Sequence, residues 1–211
     1  LLLYTPHNAD ICFTSVRPDS SDNKISLVVA GAFTAQNLRD VVGNYVEKGV
    51  AKENKRDKET GFCTIIGDKV IINAIDDSID YYYSLAQKEN GYYFQQMLLL
   101  KNGETIPCRI FRGQKPTHRR ALAIYKGKAM VIETVNRMNV EDFTLSMQKI
   151  GVKDAIYLDM GSWSEGLVRN RDNEKISIGH LKQNTRFQSN WIEYVTKPLK
   201  IKESRVLVKK R

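Results

Sequence analysis

The chain has 211 residues, 42% of them apolar and 27% charged, with a formal net charge of +9. That length and composition allow one large domain or two small ones with a sizeable core, and exclude a disordered, fibrous or disulfide-scaffold protein. The positive balance favours phosphorylated ligands, nucleic acid or an acidic surface without choosing among them. No apolar run approaches the ~18 residues needed to cross a bilayer. The opening Leu1-Leu2-Leu3 is soon broken by Pro6, His7 and Asn8, and the lack of an initial Met leads us to expect sequence upstream. Cys12, Cys63 and Cys108 are odd in number and widely spaced, which predicts buried thiols rather than a zinc signature or a disulfide framework.

Taken in order, Asp10–Val16 and Lys24–Ala30 read as two strands joined by the polar turn at residues 17–23. After Val28-Val29-Ala30 come Gly31, Ala32 and Phe33, and Thr34 is placed to cap a helix with Leu38, Val41, Val42 and Tyr45 on one face. The small pair Gly31-Ala32 fits a ligand site and close helix packing equally well. Residues 47–59 are charged and mixed in sign, and read as a solvated loop. Cys63–Ala74 offers two strands around Gly67-Asp68, and Asp77–Lys88 a short helix with Ile79, Tyr82, Tyr83 and Leu85 half-buried. Its three consecutive tyrosines also have the chemistry of a stacking platform, but the helix face is the preferred account.

Tyr92–Lys101 and Glu104–Phe111 flank Asn102-Gly103, a strong hairpin signal, and a second hairpin, Arg120–Tyr125 with Lys128–Val135, turns at Lys126-Gly127. Between them Arg109, Arg112, Lys115, Arg119 and Arg120 occur without an acidic residue. Such a cluster must reach water or meet an anion, because burying unpaired cations costs several kcal/mol each. Arg119, at the mouth of a strand, is the best placed for a site.

Asn139 reads as the N-cap of a helix carrying Phe143, Met147 and Ile150, stopped by Gly151. The short strand Ala155–Leu158 then delivers Asp159 to a Gly/Ser turn with Gly161, Ser162, Trp163, Ser164, Glu165 and Gly166. Carboxylate, hydroxyls and exposed N–H groups suit an anionic or hydroxylated ligand, although an aspartate bonding its own turn has the same local sequence. Asn190–Val195 reads as the last strand, and seven of the final fifteen residues are Lys or Arg, a basic tail over residues 197–211. Consecutive strands with a few helices between them predict an α/β (α+β) fold: a mixed, largely antiparallel sheet with covering helices in a single domain over residues 1–196.

With these pieces in order, the chain resembles the phosphodiester glycosidase family. The likeness runs through VVAGAFT at Val28–Thr34, FQQMLLLKNGETIP at Phe94–Pro107, HRRALAIYKGK at His118–Lys128, and the helix from Val140 leading to DAIYLDMGSWS. It departs where the family has Asn-Gly-Gly-Phe-Phe and this chain Ala30, Gly31, Ala32, Phe33 and Thr34. In the family's Asp-Gly-Gly-Gly-Ser-Ser it keeps Asp159, Gly161 and Ser164 but has Met160, Ser162 and Trp163. The resemblance implies hydrolysis of a sugar phosphodiester or related glycosidic bond, with Asp159, Arg119 and Ser164 as catalytic residues. It further implies Gly31, Phe33, Arg137, Gly161, Ser162, Trp163, Glu165 and Asn190 as substrate contacts.

In that role Asp159 would act as acid/base or stabilise an oxocarbenium-like state, and Arg119 and Arg137 would hold phosphate oxygens. Glu133 and Glu165 are the nearest candidates for a second carboxylate, with Glu133 turned to the other face if its hairpin alternates. The resemblance also implies a carbohydrate or sugar-phosphate partner, with no cofactor and no metal expected, and it alone implies a secreted, periplasmic or cell-envelope location. A non-catalytic carbohydrate- or polyanion-binding module is the alternative function. Nucleic acid is disfavoured, because the basic stretches lack interleaved aromatics or a recognisable module.

Overall fold

The computed structural model describes residues 1–54, 59–76, 78–108, 113–160, 164–179 and 185–198. Among these the strands form three sheets, and their pairings are antiparallel throughout. The strands are β1 (Leu2–Tyr4), β2 (Ala9–Thr14), β3 (Ile25–Ala30), β4 (Tyr45–Glu47), β5 (Val50–Lys52), β6 (Gly61–Ile66), β7 (Lys69–Ala74) and β8 (Tyr92–Gln96). They continue with β9 (Leu98–Lys101), β10 (Glu104–Thr105), β11 (Arg120–Tyr125), β12 (Lys128–Glu133), β13 (Asp154–Leu158), β14 (Gly166–Arg169), β15 (Lys175–Ile178) and β16 (Trp191–Thr196). The first sheet runs β1-β12-β11-β13-β9-β10, the second β15-β14-β3-β16-β2, and the third β5-β4-β8-β6-β7. With helices α1 (Ile79–Lys88) and α2 (Val140–Lys149) covering sheet faces, the α+β architecture expected from sequence holds.

Strand alternation explains the layering. In β13, Ile156 and Leu158 face a core shared by all three sheets, with Leu122 and Val131 beside them, Val29 from the second sheet and Phe94 from the third. There Phe13 stacks on Phe94 with ring centroids 4.9 Å apart. The alternate residues of β11 and β13, Ala121, Ala123, Ala155 and Tyr157, pack with Phe143 and Met147 of α2. Alanines on that face let the helix lie close, and burial of both faces is why the run reads as continuously apolar. Asn139 caps α2 through its side chain, which accepts from the Asp142 N–H at 2.8 Å, worth about 1 kcal/mol. On the third sheet, Phe62 and Tyr93 pack beneath Ala86, Tyr82 and Tyr83 of α1, so two of the three tyrosines form the expected helix face.

Several elements differ from expectation. No helix follows Thr34: Thr34 bridges Val41, and Ala35 N–H donates to Asp40 O at 2.8 Å. The Asn37 side chain accepts from the N–H groups of Arg39 and Asp40, and Leu38 sits at φ 57°, a local turn that outcompetes helical bonding. Residues 45–52 form a hairpin rather than a loop, turning through Lys48 and Gly49 at φ 48° and 77°, the left-handed pair a two-residue turn needs. β2 and β3 do not pair with each other, because β16 lies between them. The run at residues 92–101 divides at Met97 between the third and first sheets. Glu104 and Thr105 alone continue the Asn102-Gly103 hairpin before residues 109–112, which lie outside the described residues. The hairpin of β14 with β15 is an element that the sequence pattern does not announce.

None of the three cysteines is in a disulfide, with Cys63 and Cys108 buried and Cys12 half-buried. Lys197, placed in the basic tail from sequence, is anchored by ion pairs to Asp10 at 3.0 Å and to Asp68, and the remainder of the tail, residues 199–211, is outside the described residues. No helix among the described residues is long and apolar enough to cross a membrane.

Candidate functional site

β13 and β3 end at the same rim, where the Asp159 N–H donates to the Gly31 carbonyl at 2.8 Å and ties the first sheet to the second. Gly31 is small for a steric reason. A Cβ there would stand 2.5 Å from Asn190 Oδ1 and 3.3 Å from the Phe13 ring. Asn190 is fully buried and clamps the next residue: its Oδ1 accepts from Ala32 N–H at 2.6 Å and its Nδ2 donates to Ala32 O at 3.0 Å. Its amide therefore shapes the wall of the rim from behind. Phe33 follows, its ring 5.8 Å from that of Tyr157.

Arg119 immediately precedes β11. Because Ala121 pairs with Tyr157 and side chains alternate, Arg119 shares the face of Tyr157 and of Asp159 beyond it. Its Nη1 donates to the Tyr157 hydroxyl at 3.4 Å and its Nε to Met138 O at 3.3 Å, and its backbone N–H is held by Thr134 Oγ1 at 2.9 Å. Arg119 is 1% exposed, Tyr157 2% and Asp159 6%. Burial pushes the Tyr157 phenol up to about 12; Arg119 opposes that rise, while the charges of Asp159 and Cys108 add to it. The phenol thus feels both the guanidinium and the carboxylate, which places the three groups in one electrostatic unit.

The neighbouring acids are committed elsewhere. Glu133 receives Arg120 Nε at 2.9 Å and Nη2 at 2.7 Å, a buried pair on the sheet face that carries Leu122 and Val131, opposite to Tyr157. Arg120 Nη2 also donates to the Ser164 carbonyl at 3.2 Å, and Ser164 is buried. Glu165 is exposed and lies 3.7 Å from Arg17. Arg137 is exposed on the loop whose Met138 carbonyl holds Arg119, and Lys115 is exposed as well. Gly161, Ser162 and Trp163, like Arg109 and Arg112, lie outside the described residues.

The structure therefore brings Gly31, Phe33, Arg119 and Asp159 to one rim with Asn190 behind it, and leaves Arg137 and Glu165 at the surface. Sequence reasoning misses Tyr157, which reads as a strand residue; its two-residue spacing from Asp159 is the signal for a shared face. It misses Gln96 too. That residue lies beside the end of β13, since Tyr157 N–H donates to Met97 O at 2.8 Å. Its Oε1 accepts from Met97 N–H at 2.8 Å, which fixes the amide's orientation, and its buried Nε2 has no partner among the described residues. No group of three or more His, Cys, Asp or Glu that could hold a metal ion occurs among the described residues.

A family model described as phosphodiester glycosidase matches residues 23–192. No curated protein sequence matches the chain. Among solved structures, it is similar to the catalytic domain of zebrafish N-acetylglucosamine-1-phosphodiester alpha-N-acetylglucosaminidase auto-inhibited by its pro-peptide. The TM-score is 0.62 at 13% identity, over 90% of this chain and 73% of that one. It is also similar to a hypothetical protein from Synechocystis, with a TM-score of 0.56 at 9% identity, over 90% of this chain and 57% of that one. At these identities the structural likeness is one of fold.

Proposed function

The chain belongs to the phosphodiester glycosidase family, and from that premise we propose that it hydrolyses the bond between the anomeric carbon of a sugar and a phosphodiester oxygen, at Asp159 and Arg119. The observation that carries this reading is the junction of Asp159 with Gly31 at 2.8 Å, with Arg119 held on the same face through Tyr157 at 3.4 Å. A carboxylate and a permanently charged guanidinium on one sheet face, at the ends of neighbouring strands, support the reading, since ligands collect in such concave ends.

The chemistry needs one carboxylate rather than two. A phosphate monoester is a good leaving group and departs without protonation, so the second carboxylate that glycosidases ordinarily use as an acid has little to do. In the proposed step, water forms a bond to the anomeric carbon as that carbon's bond to the phosphate oxygen breaks. Asp159 takes the proton from water and its charge faces the oxocarbenium-like carbon, while Arg119 holds the oxygens of the departing phosphate. This accounts for the engagement of Glu133 with Arg120 and of Glu165 with Arg17. Gly31 and Phe33 would border the sugar and Ser164 would set the course of the loop after Asp159.

A non-catalytic carbohydrate-binding module is the competing reading, and the depth of Asp159, 6% exposed, favours it. Turnover of a panel of sugar 1-phosphodiesters, N-acetylglucosamine-1-phosphodiester among them, separates the two. We expect hydrolysis that falls about 10²–10⁴-fold in a folded Asp159→Asn variant, the range for losing a positioned acid or base. Unchanged turnover in that variant would sink the assignment, and a parent protein inactive across the panel but binding its members would leave the module.

A further inference from the structure

A cavity of about 320 Å³ opens at the far end of β3 from Gly31, lined among others by His7, Asn23, Ser26, Arg169, Arg171 and Thr196. Ser26 lies near the start of β3 and Thr196 ends β16, whereas Gly31 and Asn190 mark the opposite ends of those strands. Five residue steps of extended chain separate Ser26 from Gly31, roughly 16 Å. The cavity is therefore a different place from the Asp159 rim, and a ligand held in it is independent of hydrolysis at that rim.

Its lining carries two arginines and a histidine, and no Asp or Glu among the described residues. Arg169 is fixed by main-chain carbonyls: its Nε donates to Ile25 O at 3.0 Å, its Nη1 to Asn173 O at 3.3 Å, and its Nη2 to Ser20 O at 3.1 Å and Asp22 O at 3.4 Å. Carbonyls orient a guanidinium without cancelling its charge. The nearby Asp22 carboxylate is turned to its own loop, where it accepts the Lys24 N–H at 2.9 Å. Arg171 is exposed and has no ion pair among the described residues. Amides and hydroxyls from Asn23, Ser26 and Thr196 supply both donors and acceptors on the same walls.

We infer that this cavity binds a tetrahedral oxyanion carried on a single saccharide unit, a sugar phosphate or sugar sulfate. The uncancelled charge of the two guanidinium groups suits the oxyanion, whose oxygens match the planar fork of Arg171. The volume is at the lower end of small-molecule sites, room for one ring with its charged group but not for an oligomer. The amides and hydroxyls answer the ring's hydroxyl groups.

Calorimetry on the full chain with glucose 1-phosphate, inorganic phosphate and glucose tests this, together with crystals soaked in glucose 1-phosphate. The soaked ligand should occupy the cavity with its phosphate at Arg171. Arg171→Glu, a change at an exposed side chain remote from the rim, should weaken glucose 1-phosphate at least about tenfold, as expected for losing a charged hydrogen bond. Arg119→Ala should leave that binding event in place. The inference is overturned if Arg171→Glu binds as the parent does, or if the soaked ligand is found only at the Asp159 rim. Glucose binding as tightly as glucose 1-phosphate would remove the oxyanion from the proposal, and inorganic phosphate binding as tightly would remove the sugar.

Discussion

The Asp159 N–H and the Gly31 carbonyl, 2.8 Å apart, join two sheets just beyond the last registered pairs of β13 and β3. The bond makes the position of the Asp159 backbone depend on how closely the chain at Gly31 approaches Asn190.

Substitution of Gly31 tests that dependence. The new Cβ of Gly31→Ala would fall 2.5 Å from Asn190 Oδ1, and Asn190 cannot swing aside without releasing both backbone groups of Ala32. We expect a loss of about 1–3 kcal/mol in urea unfolding, the range for forcing a methyl group into packed structure. A variant as stable as the parent would show that the junction yields easily.

The buried pair of Arg120 and Glu133 gives a second prediction. Both side chains are almost fully buried, and removing one charge strands the other. Glu133→Gln should destabilise the fold by about 3 kcal/mol while leaving hydrolysis per folded molecule close to the parent's. Collapse of turnover in a folded Glu133→Gln protein would instead identify Glu133 as a second working carboxylate.

Arg119 and Lys115 should separate under ligand binding. Arg119→Ala is expected to weaken a phosphorylated ligand at the Asp159 rim by about 1.5–3 kcal/mol, the cost of a charged hydrogen bond. Lys115→Ala, at an exposed side chain, should change the affinity little. Equal losses for the two would mean that a diffuse positive field, rather than a fixed guanidinium, holds the ligand.

Tyr157 predicts a pH dependence. Its phenol is raised from 10.0 to about 12 in the folded protein, first by burial. Above pH 10 the unfolded chain loses this proton while the folded one retains it, so the contribution is complete below about pH 10 and lost as pH rises to 12. The loss attributable to Tyr157 is on the order of 2–3 kcal/mol. Urea midpoints measured between pH 9 and 12 should fall less steeply for Tyr157→Phe, and an unaltered slope would count against a phenol held neutral by the fold.

The parts of the fold legible in sequence are those that local chemistry decides. Asn102-Gly103 and Lys126-Gly127 turn the two expected hairpins, Asn139 caps α2, and the apolar run of β13 ends at Asp159. Pairing across long sequence distances is not legible, so β2 and β3 read as neighbours. Residues 34–45 have helical spacing, yet the Asn37 side chain and the left-handed Leu38 produce a compact loop. At the site, the adjacency of Gly31 and Asp159 follows from both being strand ends. The division of labour between adjacent arginines does not, because alternation sends Arg119 and Arg120 to opposite faces and only the partners, Tyr157 and Glu133, distinguish the two. Asn190 enters only through the family resemblance, and nothing in the sequence says that both ends of its amide serve Ala32.

The insertion of β16 between β2 and β3 sets the order in which the molecule can be completed during synthesis. Two strands that precede β16 by well over a hundred residues must wait, unpaired with each other, until residues 191–196 have left the ribosome. Their facing edges are open over that interval, a template for pairing with other chains. Assembly of the second sheet, and with it the Gly31 side of the rim, thus waits on β16, and a nascent chain stalled before Trp191 should be captured by chaperones that a chain carrying β16 escapes.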